Sequence, residues 1–129
     1  MATLHMFSFI TMGLLFTAAA QAQPIQPFTT AALKAAQAAG EPVLVDAYAS
    51  WCPTCRKQGP TIDAMTKDPA FAKLLILRLD YDNQSAEKRA LGIVTQSTLI
   101  AFHGNKETGR SVGITDPDQI KSLAQSALH

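Results

Sequence analysis

The two cysteines of this chain stand two residues apart in Trp51-Cys52-Pro53-Thr54-Cys55, just downstream of the apolar run Val43–Val45. That order predicts a buried strand, a break, two thiols, and then a helix beginning near Arg56. Cys52 therefore falls at or beside a helix N-terminus, where unpaired backbone N–H groups and the helix dipole favour an anion. A thiolate is such an anion, and it is the reactive form of cysteine. Cys55 lies one turn further in, within reach of a disulfide formed at Cys52. Two competing readings are weaker. A loop this short restrains the unfolded chain little, so a purely structural disulfide would add little stability. A zinc site needs four ligands, and neither a second cysteine pair nor a nearby histidine completes the set. Dithiol–disulfide chemistry is the expectation, with no metal and no cofactor.

A chain of 129 residues with 47% hydrophobic content can bury one core, and one domain is expected. Eleven basic and ten acidic residues leave a net charge of +1, which points to neither nucleic acid nor a strongly acidic partner. The charge is unevenly placed: residues 1–33 carry no Lys, Arg, Asp or Glu. That segment holds an apolar run, Met6–Ala20, followed by the small-x-small sequence Ala20-Gln21-Ala22. The run is short for a membrane span, which needs about 20 apolar residues. It suits the hydrophobic part of a secretory signal, with residues 1–22 removed and a mature domain over 23–129. The first six residues lack Lys and Arg, and this keeps an uncleaved anchor or a mis-assigned start codon open as alternatives. Export would place the thiols in a periplasmic or secreted setting, where disulfides persist.

Within 23–129, Gln23–Pro27 reads as an extended lead-in and Ala31–Ala39 as a helix capped by Thr29 or Thr30 and ended by Gly40. Val43–Tyr48 reads as a central strand interrupted by Asp46. Arg56–Lys67 is a helix with Pro60 inside it, which should kink it. Asp68-Pro69 restarts the chain, Ala70–Lys73 forms a helical turn, and Leu74–Leu79 is a strand broken by Arg78. Ser85–Leu91 is a short polar helix. Thr98–Phe102 and Glu107–Val112 flank the hairpin signal His103-Gly104-Asn105-Lys106. Pro117 opens a last helix with Ile120, Leu123, Ala124 and Leu128 on one face. Helices alternating with strands argue an α/β fold, its central sheet covered on both faces and made mixed by the hairpin.

With that order established, Val45-Asp46-Ala47-Tyr48-Ala49-Ser50-Trp51-Cys52-Pro53-Thr54-Cys55 closely resembles the active-site stretch of the thioredoxin superfamily. The likeness runs from about residue 29 to the C-terminus and includes Asp46, Trp51, Pro60 and Gly113. Together with export, the Cys-Pro-Thr-Cys centre resembles the periplasmic thioredoxin-like reductases. That group includes members serving cytochrome c maturation and thiol domains fed by membrane reductases. The resemblance implies that Cys52 is the attacking thiol and Cys55 the resolving one. It also implies that Asp46 accepts or relays the Cys55 proton, and that Trp51, Pro53, Thr54, Gln96 and Ser97 border the substrate.

The residues themselves leave alternatives at several of these positions. A buried carboxylate at Asp46 would have a raised pKa and exchange protons near neutral pH, or it could simply accept structural hydrogen bonds. Arg78 could pair with it from a neighbouring strand or reach solvent instead. Trp51 is either a packing residue or a substrate contact, and His103 is expected in an exposed turn with no chemistry. Ser97 departs from the family pattern, since it stands where a cis-proline is usual. A cis bond before a non-proline residue costs about 3–4 kcal/mol, so either Gln96–Ser97 is trans in a rebuilt loop or the fold imposes the strain. The Ser97 hydroxyl could donate to the Cys52 thiolate, which proline cannot do, or it could have no role.

The expected protein is thus an exported, monomeric thiol–disulfide oxidoreductase acting on protein disulfides or dithiols. A membrane electron donor and a net reductase direction are expected with it. From a different class comes a metal or iron–sulfur module built on the two thiolates, a reading favoured by the missing proline.

Overall fold

In the computed structural model, which describes residues 23–129, the apolar run before the thiols becomes the middle of a sheet. Its elements in chain order are β1 (Gln26–Pro27), α1 (Thr30–Ala38), β2 (Pro42–Tyr48), α2 (Pro53–Met65), a 3-10 turn (Pro69–Phe71), β3 (Leu75–Asp80), α3 (Ser85–Ala90), β4 (Thr98–His103), β5 (Lys106–Val112) and α4 (Pro117–Ser126). The strands lie in the order β1-β3-β2-β4-β5. β2 runs parallel to β3, with Val45 opposite Leu77, and antiparallel to β4, with Val45 opposite Ile100. This is the mixed, helix-covered sheet that the alternation of elements predicted.

Alternation along β2 assigns its side chains to two cores. Val43, Val45 and Ala47 pack with Leu77, Leu79, Ile100 and Phe102 under Phe28, Leu33 and Ala36 of the α1 side. Leu44 joins Ile76, Leu99 and Ala101 under Ile62 and Met65 of α2 and Ile120 and Ala124 of α4. Asp46 has the parity of Leu44, so its carboxylate enters the side of the sheet that α2 covers.

Three boundaries differ from the sequence reading. α2 begins at Pro53 rather than near Arg56, because proline suits the first helical position and Cys52 serves as the N-cap. The lead-in contributes a short edge strand, with Gln26 and Pro27 paired in parallel with Leu77 and Arg78. The turn after Asp68 is a 3-10 turn over Pro69–Phe71, with the Asp68 carboxylate accepting from Ala70 N–H. The other elements fall within a residue or two of expectation. Thr29 caps α1 through Ala32 N–H, and Asp116 caps α4 through Gln119 N–H. His103 ends β4 rather than lying in the turn. It is exposed there, with Nδ1 2.8 Å from the Ala127 carbonyl oxygen.

Candidate active site

The topology brings four strand ends together. β2 and β3 are parallel, so Tyr48 and Asp80 end side by side. β4 runs against β2 and β5 against β4, so Thr98 and Val112 meet at that same end. The loops leaving these strands carry Trp51–Thr54, Tyr81–Asn83, Thr95–Ser97 and Gly113–Ile114. The sequence-predicted site residues are therefore gathered at one pole of the sheet.

Cys52 and Cys55 are joined as a disulfide, with Cα atoms 5.3 Å apart, and are 1% and 2% exposed. Exposure does not separate them, but hydrogen bonding does. Cys52 Sγ accepts the Cys55 backbone N–H at 3.0 Å, as an N-cap side chain does, while Cys55 Sγ lies 3.9 Å from the Ala47 carbonyl oxygen. The first sulfur faces a helix donor and the second a carbonyl. After reduction, Cys52 is accordingly expected to alkylate several-fold faster than Cys55 at neutral pH. Mass mapping after brief iodoacetamide treatment checks this, and preferential labelling of Cys55 would reverse the order.

Asp46 is 1% exposed, and its carboxylate accepts the Arg78 Nε–H at 2.9 Å across the β2–β3 pair. Burial pushes the Asp46 carboxyl above the usual carboxylate range, outweighing the Arg78 charge and hydrogen bond that oppose it; Asp63 on α2 adds to the upward push. Arg78 does both things the sequence allowed. It pairs with Asp46 and also reaches solvent, its guanidinium 4.4 Å from the centre of the Tyr48 ring. Tyr48 and Tyr81 pack against the two cysteines and Ala49.

Trp51 is 52% exposed and is anchored rather than free. Its indole N–H donates to both carboxylate oxygens of Asp82, at 3.1 and 3.0 Å, and its ring meets Tyr81 edge-on at 6.5 Å. Lys88 Nζ stands 3.7 Å from the Tyr81 ring centre. Sequence reasoning passed over Tyr81 and Asp82; the signal was the polar cluster Asp80-Tyr81-Asp82-Asn83 directly after a buried strand. Pro53 is exposed, and Thr54 and Gln96 are half-buried.

Ser97 resolves the question left at the missing proline. The Gln96–Ser97 bond is trans, and Ser97 takes a left-handed backbone at φ 61°. Its N–H donates to the Ala47 carbonyl at 2.8 Å, so the loop still pairs with the strand leading into the thiols. In this disulfide form its hydroxyl donates to neither sulfur, which differs from the bond imagined for the thiolate. Beneath it lies a residue that the sequence reading missed altogether, Gln58. Its amide donates to the Ser97 carbonyl at 3.3 Å and the Ile114 carbonyl at 2.8 Å. Among the described residues, no group of three or more His, Cys, Asp or Glu side chains is arranged to hold a metal.

A dithiol that closes in such a setting exchanges electrons with other disulfides, which defines the class as thiol–disulfide oxidoreductases. The Thioredoxin family profile matches residues 25–126, and the chain belongs to that family. It is 36% identical over 81 residues to the thioredoxin of Chlamydia muridarum, covering 63% of this chain and 78% of that one. The thioredoxin of Alicyclobacillus acidocaldarius is 29% identical over 88 residues, covering 68% and 83%. Among solved structures, Trxlp from Edwardsiella tarda superposes with a TM-score of 0.75 at 36% identity, covering 78% of this chain and 98% of that one. The thioredoxin of Malassezia sympodialis shares the fold, with a TM-score of 0.72 at 24% identity and coverage of 83% and 96%.

Proposed function

We propose that the chain is an exported reductase of protein disulfides, working as a monomer and recharged by a membrane electron donor. The Cys52 thiolate attacks one sulfur of a substrate disulfide, forming a mixed disulfide and releasing the other sulfur as a thiolate. Cys55 loses its proton and attacks Cys52 Sγ; the second substrate sulfur leaves as a thiolate, and the Cys52–Cys55 disulfide remains. The substrate gains two electrons and the enzyme loses them. One observation carries the assignment of roles: Cys52 Sγ caps α2 and accepts the Cys55 N–H. Asp46, buried in the strand before the thiols and held above its usual pKa, is the proton acceptor for Cys55.

A polypeptide substrate is supported by the apolar surface at the same pole. Trp51 is 52%, Val94 84% and Val112 55% exposed, at the ends of three loops or strands bordering the thiols. Pro53, Thr54, Gln96 and Ser97 complete that border. In the family the loop before β4 pairs with substrate backbone, and here Ser97 fastens that loop to Ala47 beside the thiols. Export rests on Met6–Ala20 and Ala20-Gln21-Ala22, which lie outside the described residues. Among exported members, proteins of cytochrome c maturation are one substrate class.

The test is a Cys55→Ala protein expressed in a bacterial host. It is expected to carry a partner as a mixed disulfide through Cys52, released by dithiothreitol, whereas Cys52→Ala should carry none. Equal trapping by both variants, or trapping by neither, would overturn the assignment. N-terminal sequencing of the same material should read from Gln23 in the periplasmic fraction. An intact Met1 in the membrane would mean an anchor, and an intact soluble chain would remove export from the proposal.

A further inference from the structure

Along α2, the residues Cys55, Gln58, Ile62 and Met65 face inward, and all four are buried. Three of them suit that face, whereas Gln58 is a primary amide with no exposed surface. Both hydrogen bonds from its nitrogen leave the helix, one to Ser97 and one to Ile114, while its Oε1 has no partner. Burial with an orphaned acceptor is unfavourable, so apolar packing does not account for this residue. What it joins does.

Ser97 holds a left-handed backbone that is disfavoured for a residue with a Cβ, and three hydrogen bonds hold it there. Its N–H donates to Ala47, while its carbonyl accepts from Gly113 N–H at 3.1 Å and from the Gln58 amide. Gly113 is itself left-handed at φ 74°. Two irregular segments, around Ser97 and around Gly113–Ile114, therefore meet at one carbonyl, and Gln58 is the side chain that ties both to the thiol-bearing helix.

We propose that Gln58 is a positioning residue for substrate recognition. Its amide locks Trp51–Thr54, Thr95–Ser97 and Val112–Ile114 into one rigid surface against which an extended polypeptide aligns its disulfide with Cys52. The kinetic part of this inference rests on the proposed reduction of protein disulfides, but the structural part does not. Gln58 hydrogen-bonds to neither sulfur, so a small disulfide that needs no docking surface is indifferent to it.

Gln58→Met keeps the length and volume of the side chain and removes both donors. Amide hydrogen exchange in this variant should quicken about tenfold or more at Ser97 and Gly113 while Leu77, in the central ladder, exchanges as in the parent. With dithiothreitol recharging the dithiol, turnover of insulin disulfides should fall about tenfold in kcat/KM, mainly through KM, while the single reaction of the pre-reduced protein with 5,5′-dithiobis(2-nitrobenzoate) stays within about twofold in rate. Unchanged exchange at Ser97 and Gly113 overturns the clamp. Faster exchange at Leu77 as well, with equal losses on both disulfides, reduces Gln58 to a general structural residue and also overturns it. If Gln58→Met does not fold, Gln58→Asn, whose shorter amide cannot span both carbonyls, takes its place with the same expected results. If the parent reacts with the small disulfide but not with insulin, the proposed function fails, and the exchange measurement alone decides the clamp.

Discussion

Replacing Asp46 by asparagine is expected to slow resolution of the mixed disulfide by about 10²-fold while leaving the first attack by Cys52 nearly unchanged. The reason is positional: the carboxylate is buried in the strand that leads to the thiols, on the side covered by α2. Stability should move the other way. The folded pKa of Asp46 lies above its unfolded value, so the folded state holds the proton more tightly. Its stabilising contribution is complete below the unfolded pKa and is lost as pH rises through the folded one. Asp46→Asn removes that loss. Above the folded pKa the variant should be more stable than the parent by about 1–3 kcal/mol, Arg78 still being able to reach solvent, and the gain should shrink as pH falls and Asp46 of the parent is protonated. Denaturant unfolding across pH 5–9 with stopped-flow resolution kinetics measures both. A less stable Asn variant with unchanged turnover would make Asp46 a structural acceptor only.

At Ser97 the larger effect is on the fold. Ser97→Pro should destabilise the protein by about 3 kcal/mol or more, since proline cannot adopt φ 61° and has no N–H for the Ala47 carbonyl. Ser97→Gly is the control. It keeps the donor and removes the Cβ penalty of the left-handed backbone, so its stability should stay within about 1 kcal/mol of the parent. Thermal and urea unfolding of the three proteins decide the matter. A Ser97→Pro protein as stable as its parent would show that the loop can be rebuilt without the left-handed residue and the Ala47 bond.

What could be read from the sequence was what is local. Val43–Tyr48 announces a buried strand by its own composition, Pro117 and Asp116 mark a helix start, and Cys52 and Cys55 are separated by one helical turn. These features need no distant partner to define them. Pairings across the sheet were less accessible. Trp51 and Asp82 are 31 residues apart, and Gln58 reaches Ile114 over 56. A glutamine at a core position gives a faint signal, namely a polar break in the face formed by Cys55, Ile62 and Met65. The strand Gln26–Pro27 gave none, because two residues have no periodicity and its pairing is defined only by β3. At Ser97 the sequence exposed the departure and framed it as a choice between cis and trans. The structure takes the trans alternative, and the form of the rebuilt loop, a left-handed serine, depends on acceptors and donors contributed by Ala47, Gly113 and Gln58.

The two margins of the sheet bear on the company such a protein keeps. An open strand edge invites a partly unfolded chain to add a strand. On one margin stands β1, two residues long, with Pro27 offering no N–H. On the other, β5 carries Lys106, Glu107 and Arg110, and its register with β4 shifts at Ala101/Phe102. Arg110 is drawn inward to Glu107 and to the Leu91 and Gly92 carbonyls, which fastens that margin to the end of α3. Both borders are thus poor templates for aggregation, so a partly unfolded chain finds no ready strand partner at either margin of the described sheet.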